Sequence, residues 1–402
     1  MLQRGVRFAM RAVSSTNRWR TLGAVLFVLF SGVFFALPAG AKGKVHEVKK
    51  GGSLWAIAHR YGVTVAALRE KNGLEKGDPI VPGQKLEIPS KDYKSGKSRR
   101  RTASENKKAD WVVKKPPPST QVQKTAKERG VNPCNTPDPG WGVYDHWSRA
   151  PSMGQMISPQ RGGISRSGRF DVMIHFHGHE AVRKEWVQVM NGTVLVGIDL
   201  GIGSGPYNAA FQSPNAFKKL VESVEEAMAK KTGKKNARVR HVGLSSWSAG
   251  YGAVQEIINQ PYGKKVVDTV ILLDGLHSGY QGNSLNEAQL KPFTDWAKEA
   301  AHGRKFMFVS HSSIIPPGYA STTETANFLI SKVGGHPRKT RPRSADPMGL
   351  DLISTYNRGN FHVRGYAGND KMDHCAHIGL YRDVLKVHVK RRWRSPRGYK
   401  KK

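Results

Sequence analysis

Ser248 is the middle residue of Ser246-Trp247-Ser248-Ala249-Gly250, which lies between an apolar run and a stretch of helical periodicity. A serine hydroxyl on such a turn becomes a nucleophile when an imidazole takes its proton and a carboxylate orients that imidazole. Asp274 closes the apolar run Ile271-Leu272-Leu273 and comes next in chain order. His374 and His377 follow near the C-terminus, on either side of Cys375. Both remain open as the base, with a lean to His377 because it adjoins the apolar start of a terminal helix. Each group also has a plainer reading: Asp274 as the cap of the next segment, the serine turn as an ordinary Ser/Gly-rich connection. A competing chemistry rests on His175, His177 and His179, whose alternation would place them on one face of a strand as zinc ligands. No carboxylate–histidine cluster follows at a metallohydrolase spacing, so neither a metal nor another cofactor is expected.

Positioning these residues takes a framework, and the pattern supplies one. Short apolar runs predict strands over 171–176, 193–198, 240–246, 266–273, 305–310 and 360–365, with helices over 215–231, 251–260, 285–301 and 323–332. Strands alternating with helices predict a mostly parallel sheet covered on both faces, with the site at the carboxyl ends of its strands.

On these residues the chain resembles the α/β-hydrolase fold, and Ser246-Trp247-Ser248-Ala249-Gly250 resembles its nucleophile elbow, with Ser246 standing where glycine is usual. The resemblance implies a serine hydrolase, of esterase type before amidase or peptidase, with the order Ser248, Asp274, then His374 or His377. It implies an oxyanion site from the Ala249 amide and the loop of His177, Gly178 and His179, an amide just after Gly178 donating. The acid departs from the family pattern, which more often carries it one strand later. A catalytically inactive binding protein and a peptidoglycan amidase are the rival readings. Cys134 and Cys375, the only cysteines, are expected to form a disulfide in an exported chain; two free thiols are the alternative.

Ahead of this unit, residues 44–90 predict a βααβ order: a strand at Val45 and Val48, helices over 54–61 and 65–72, and a strand over 84–88. With Ser53-Leu54, Tyr61-Gly62-Val63-Thr64, Asn72-Gly73 and Pro82-Gly83-Gln84-Lys85-Leu86, the segment closely resembles the LysM module, apart from Gly52 where the family usually has Asp. The resemblance implies binding of peptidoglycan or another N-acetylglucosamine-containing glycan between two loops, Gly51, Gly52, Ser53, Leu54 and Trp55 in one and Ile80, Val81, Pro82 and Gly83 in the other.

Residues 91–130 are basic and contain Pro116-Pro117-Pro118, which predicts a linker; the larger domain is expected over 131–395 and a basic tail over 396–402. Five arginines precede the apolar run 22–37, and Ala39-Gly40-Ala41 supplies a cleavage pattern, so residues 1–41 read as a secretory signal, with an uncleaved anchor as the alternative. The remainder is then secreted or periplasmic and associated with the cell wall. A formal charge of +35 draws polyanions. Outside the cytoplasm those are anionic envelope polymers, and no nucleic-acid partner is expected. With 402 residues and 38% hydrophobic composition, a short disulfide scaffold and a polytopic membrane protein are both excluded.

Overall fold

The computed structural model describes residues 44–48, 54–74, 80–81, 83–90, 121–316, 318–341, 346, 348–368 and 370–393. The expected signal, residues 91–120 of the expected linker and the tail 396–402 lie outside the described residues.

In the N-terminal unit β1 (Val45–Glu47) pairs antiparallel with β2 (Lys85–Glu87), and α1 (Leu54–Tyr61) and α2 (Val65–Lys71) lie between them in sequence. The Thr64 side chain caps α2 by accepting the Ala67 N–H, which satisfies a backbone donor that a helix start leaves open. Val48, Leu54, Ile57, Ala58, Leu68, Leu86 and Ile88 make the core. Asn72 closes it: its amide donates to Leu68 O and Glu87 O, at 2.7 and 2.8 Å, and accepts from Glu87 N–H at 2.7 Å.

The larger unit begins earlier than its sequence predicts. Residues 121–129, assigned above to the linker, form α3 (Gln121–Arg129), with Val122 and Thr125 buried. Its lysines and arginine keep local hydrophobicity low and hide the short apolar stripe that docks. The chain continues through β3 (Gln155–Ile157), β4 (Arg169–Phe176), α4 (His179–Trp186), β5 (Val194–Ile198), α5 (Gly205–Phe211), α6 (Pro214–Thr232) and β6 (Arg238–Trp247). There follow α7 (Tyr251–Asn259), α8 (Pro261–Val266), β7 (Val267–Leu273), a hairpin of β8 (Tyr280–Gln281) and β9 (Ser284–Leu285), and α9 (Glu287–Ala301). The last part comprises β10 (Phe306–His311), α10 (Thr322–Lys332), β11 (Arg338–Lys339), β12 (Leu352–Arg358), β13 (Phe361–Tyr366), α11 (Lys371–Ala376) and α12 (Leu380–Val384).

The main sheet has nine strands in the order β11-β12-β13-β10-β7-β6-β4-β5-β3. The six from β13 to β5 run parallel, while β3, β12 and β11 join antiparallel at the edges. Strand alternation divides the core. Phe170, Val172, Ile174 and Phe176 pack with α5, α6, α7, α9 and α10, whereas Met173, Leu195, Ile271 and Phe308 pack with α3, α4, α11 and α12. Helices therefore cover both faces, giving an α/β-hydrolase-like architecture. The chain leaves β4 for β5 on one side and returns to β6 on the other, so the strand order reverses between β4 and β6. Such a reversal opens a crevice at the carboxyl ends of the two strands.

Candidate active site

Sheet register brings the functional loops together. Phe176 pairs with Ser246, Trp247 with Leu273, and Leu273 with Ser310, so the loops after β4, β6, β7 and β10 leave the same edge of the sheet. Among the described residues three non-glycines have positive φ: His177 at 72°, Ser248 at 50° and Asp274 at 41°. Each is the first residue past a central strand. A left-handed backbone on such residues stores local strain that the surrounding packing must hold in place.

The elbow depends on two close approaches. A Cβ on Gly250 would lie 2.1 Å from Phe176 O, and one on Gly275 would lie 2.3 Å from Ser248 O. Glycine at these places lets β4 and the Asp274 turn press against the serine backbone. Ser248 is half-buried and its hydroxyl makes no hydrogen bond among the described residues, whereas Ser246 is fully buried with an unpartnered hydroxyl. Of the two serines, the geometry leaves Ser248 accessible.

Asp274 is 1% exposed and saturated with donors. Its Oδ1 accepts the Ser312 N–H and the Thr322 hydroxyl, each at 2.7 Å, and its Oδ2 accepts His374 Nδ1–H at 2.7 Å. Burial opposes its ionisation, but His377, His374 and Thr322 outweigh burial and hold the carboxyl well below the usual carboxylate range. With Nδ1 committed to Asp274, His374 presents Nε2 as the proton acceptor.

His377, which the sequence favours slightly over His374, takes another place. It is fully buried, its Nδ1 bonds Ser310 Oγ at 2.9 Å, and its Nε2 has no partner. Burial holds its imidazole down to about 4. Residues 371–376 form α11 through a capping box between Asp370 and Asp373. Helical geometry turns residues three apart by most of a turn, and here only one of the two histidines reaches Asp274. The Cys134–Cys375 disulfide, with Cα atoms 4.9 Å apart, fastens α11 just after His374 to the segment after α3.

Trp247 joins the two sides of the site. Its ring stacks on His177 at 5.3 Å and lies against His374 at 4.7 Å, and its indole N–H donates to His374 O at 3.0 Å. The loop after β4 is equally fixed. His175 Nε2–H donates to His177 O, while His175 Nδ1 receives the Ser245 hydroxyl, itself bonded to Tyr381. Both nitrogens of His175 are thus consumed inside the core. His177 Nδ1 accepts from Tyr207, and His179 Nδ1 pairs with Asp199. The three histidines therefore do not converge as the zinc reading requires. Asp199 also takes the Gly178 N–H at 2.6 Å, which leaves the His179 N–H, in the first turn of α4, as the available amide of this loop. The Ala249 amide lies in the 3₁₀ turn of Ser248–Gly250.

Thr322, Ser312, Tyr207 and Asp199 escape the sequence reading. Asp199 ends an apolar strand much as Asp274 does, which is a usable signal, but nothing local marks Thr322 as a partner of a carboxylate 48 positions away.

Of the residues expected to contact glycan, Leu54 turns into the core while Val81 is 58% exposed. Gly83, at φ 86°, returns its N–H to Val48 O and shapes the second loop. Gly51, Gly52, Ser53, Pro82 and the Trp55 side chain lie outside the described residues.

Residues 46–89 match the family model of the LysM domain. This segment is a LysM domain. The chain is 36% identical over 104 residues to "SpoIVD-associated factor A" of Bacillus subtilis, covering 24% of this chain and 27% of that protein. It is also 41% identical over 59 residues to "N-acetylmuramoyl-L-alanine amidase sle1" of Staphylococcus epidermidis, covering 15% of this chain and 16% of that enzyme. The chain thus spans about a quarter or less of the length of these curated relatives. Among solved structures it aligns with a thermostable esterase at 12% identity and TM-score 0.32, over 61% of this chain and 62% of that one. Among the described residues no helix is long and apolar enough to cross a membrane, and no group of three or more His, Cys, Asp or Glu could hold a metal ion.

Proposed function

We propose that this protein is an exported serine hydrolase of esterase type, held at peptidoglycan by its LysM domain. The observation that carries the reading is the strained trio at the carboxyl ends of β4, β6 and β7 together with the Asp274–His374 bond. Ser248 attacks an acyl carbonyl, His374 Nε2 takes its proton, and Asp274 holds the imidazole tautomer and stabilises the imidazolium. The Ala249 and His179 amides face the developing oxyanion. His374 gives that proton to the alcohol oxygen as the acyl–oxygen bond breaks, and, neutral again, it takes a proton from the water that attacks the acyl-enzyme and returns it to Ser248 Oγ as the acid leaves. The Ser248–His374 contact closes with substrate in place, as catalytic hydrogen bonds do in many enzymes whose free forms hold them long.

The short spans shared with the curated relatives favour LysM-mediated wall association. A fluorophosphonate probe tests the reading. The full chain is expected to label at Ser248, and Ser248→Ala to abolish both labelling and ester hydrolysis with little change in melting temperature. An unlabelled wild-type chain would instead indicate an inactive binding protein, and release of amines from purified sacculi would indicate an amidase. Sedimentation of the full chain with peptidoglycan is expected to survive moderate salt, because glycan contacts are short-ranged while charge attraction is screened.

A further inference from the structure

His277, in the loop after β7, has no part in the mechanism above, yet it is built into the site with unusual care. Its Nδ1–H donates to Ala320 O at 2.9 Å, and a carbonyl only accepts, so the proton sits on Nδ1 and Nε2 carries the lone pair. The flanking backbone is clamped: Ala320 N–H returns to Ser278 O at 2.8 Å, and the Thr325 hydroxyl donates to Leu276 O at 2.7 Å. Tyr319 meets the His277 ring edge-on at 4.9 Å, and Tyr251 does so at 5.9 Å. Tyr251 lies three residues beyond Ser248. His277 lies three residues beyond Asp274, and the charges of Asp274 and His374 both act on it. Burial pushes its imidazole below the ordinary histidine value. Among the described residues Nε2 has no hydrogen-bond partner, and it is absent from the fully enclosed unpartnered atoms. The result is a rigid acceptor within electrostatic reach of the Asp274–His374 pair, flanked by two half-buried tyrosine rings.

We infer that His277 reads a hydroxyl or amide N–H on the substrate, and that the substrate is therefore an O-acylated sugar and not a plain alkyl ester. A sugar offers the donors that Nε2 lacks and a C–H face for Tyr251 and Tyr319. The LysM domain brings the same chemical class to the chain. This inference rests on the serine hydrolase reading.

The test compares two acetates of primary alcohols on six-membered rings, methyl 6-O-acetylglucoside and cyclohexylmethyl acetate. Wild type is expected to favour the sugar ester. His277→Asn keeps a donor for Ala320 but leaves no acceptor at the Nε2 position, and is expected to lower the ratio of the two kcat/KM values about tenfold, the worth of one good hydrogen bond. His277→Gln, which can offer an amide oxygen near the Nε2 position, should restore part of it. In wild type, free methyl glucoside should slow fluorophosphonate labelling more than cyclohexylmethanol does, a comparison that needs no variant to fold. An unchanged ratio in His277→Asn, a wild-type preference for the cyclohexyl ester, or equal protection by the two alcohols overturns the inference. Labelling of Ser248 without hydrolysis of either ester overturns it while leaving the hydrolase reading intact. Absence of both labelling and hydrolysis overturns the two together.

Discussion

Replacing Asp274 by Asn changes one atom in the centre of the site. The carboxylate accepts three hydrogen bonds of 2.7 Å, two on Oδ1 from Ser312 and Thr322 and one on Oδ2 from His374. An asparagine oxygen can keep the first two. Its NH2 group then faces His374 Nδ1 and needs an acceptor, so the imidazole must present a lone pair there and carry its proton on Nε2. In that tautomer His374 cannot take the proton of Ser248. A loss of about four orders of magnitude in kcat is expected, the scale on which a misdirected triad histidine acts, or about 5 kcal/mol in the barrier. Stability should change far less. The variant loses one charge-assisted bond, worth about 1.5–3 kcal/mol, but no longer buries an ionised group at a site 1% exposed. The assay is steady-state hydrolysis of 4-nitrophenyl acetate beside fluorophosphonate labelling and a thermal scan. A folded Asp274→Asn protein with kcat within tenfold of wild type would refute the triad, because no other described carboxylate bonds His374.

His374→Ala is expected to abolish turnover, while His377→Ala keeps measurable turnover but melts several degrees lower because it empties a buried volume; the reverse ranking in parallel kinetics would reassign the base. Reducing Cys134–Cys375, or replacing either cysteine by Ser, frees α11 from its tether across 241 positions. The chain-entropy scale is about 5 kcal/mol, with measured losses commonly nearer 2–4, so the melting temperature and kcat should fall together, and unchanged activity after verified reduction would remove the positioning role. Stability should also decline on acidification. His377 and His311 are held by burial at about 4, below the ordinary histidine value. The unfolded chain therefore takes up protons first, so their contribution is complete above about pH 6.5 and is lost as pH falls towards and through 4. A melting temperature flat from pH 7 to pH 4 would contradict it.

Much of this organisation is local and so legible in the chain. Apolar runs of five to eight residues must be buried on both sides, and the six central strands expected from them lie within two residues of β4, β5, β6, β7, β10 and β13. Amphipathic periodicity likewise marks α6, α7, α9 and α10. Ser248 and Asp274 are visible because each stands just beyond such a run. The LysM segment is visible because its caps and turns are short-range features, such as Thr64 accepting from Ala67.

What the tertiary structure decides is long-range. Whether His374 or His377 meets Asp274 depends on the rotation of α11, which the Asp370–Asp373 capping box starts but which the distant partners Cys134, bonded to Cys375, and Trp247 fix against the sheet. The edge strands β3, β11 and β12 are short or half-exposed, so burial imprints little pattern on them. The docking of α3 escapes notice because a nine-residue helix needs few apolar contacts once a larger sheet provides the surface. The strain at His177, Ser248 and Asp274 belongs to the same class. The residue types allow it, but only the packed sheet, closing against Gly250 and Gly275, supplies the contacts that hold three unfavourable backbones at one edge.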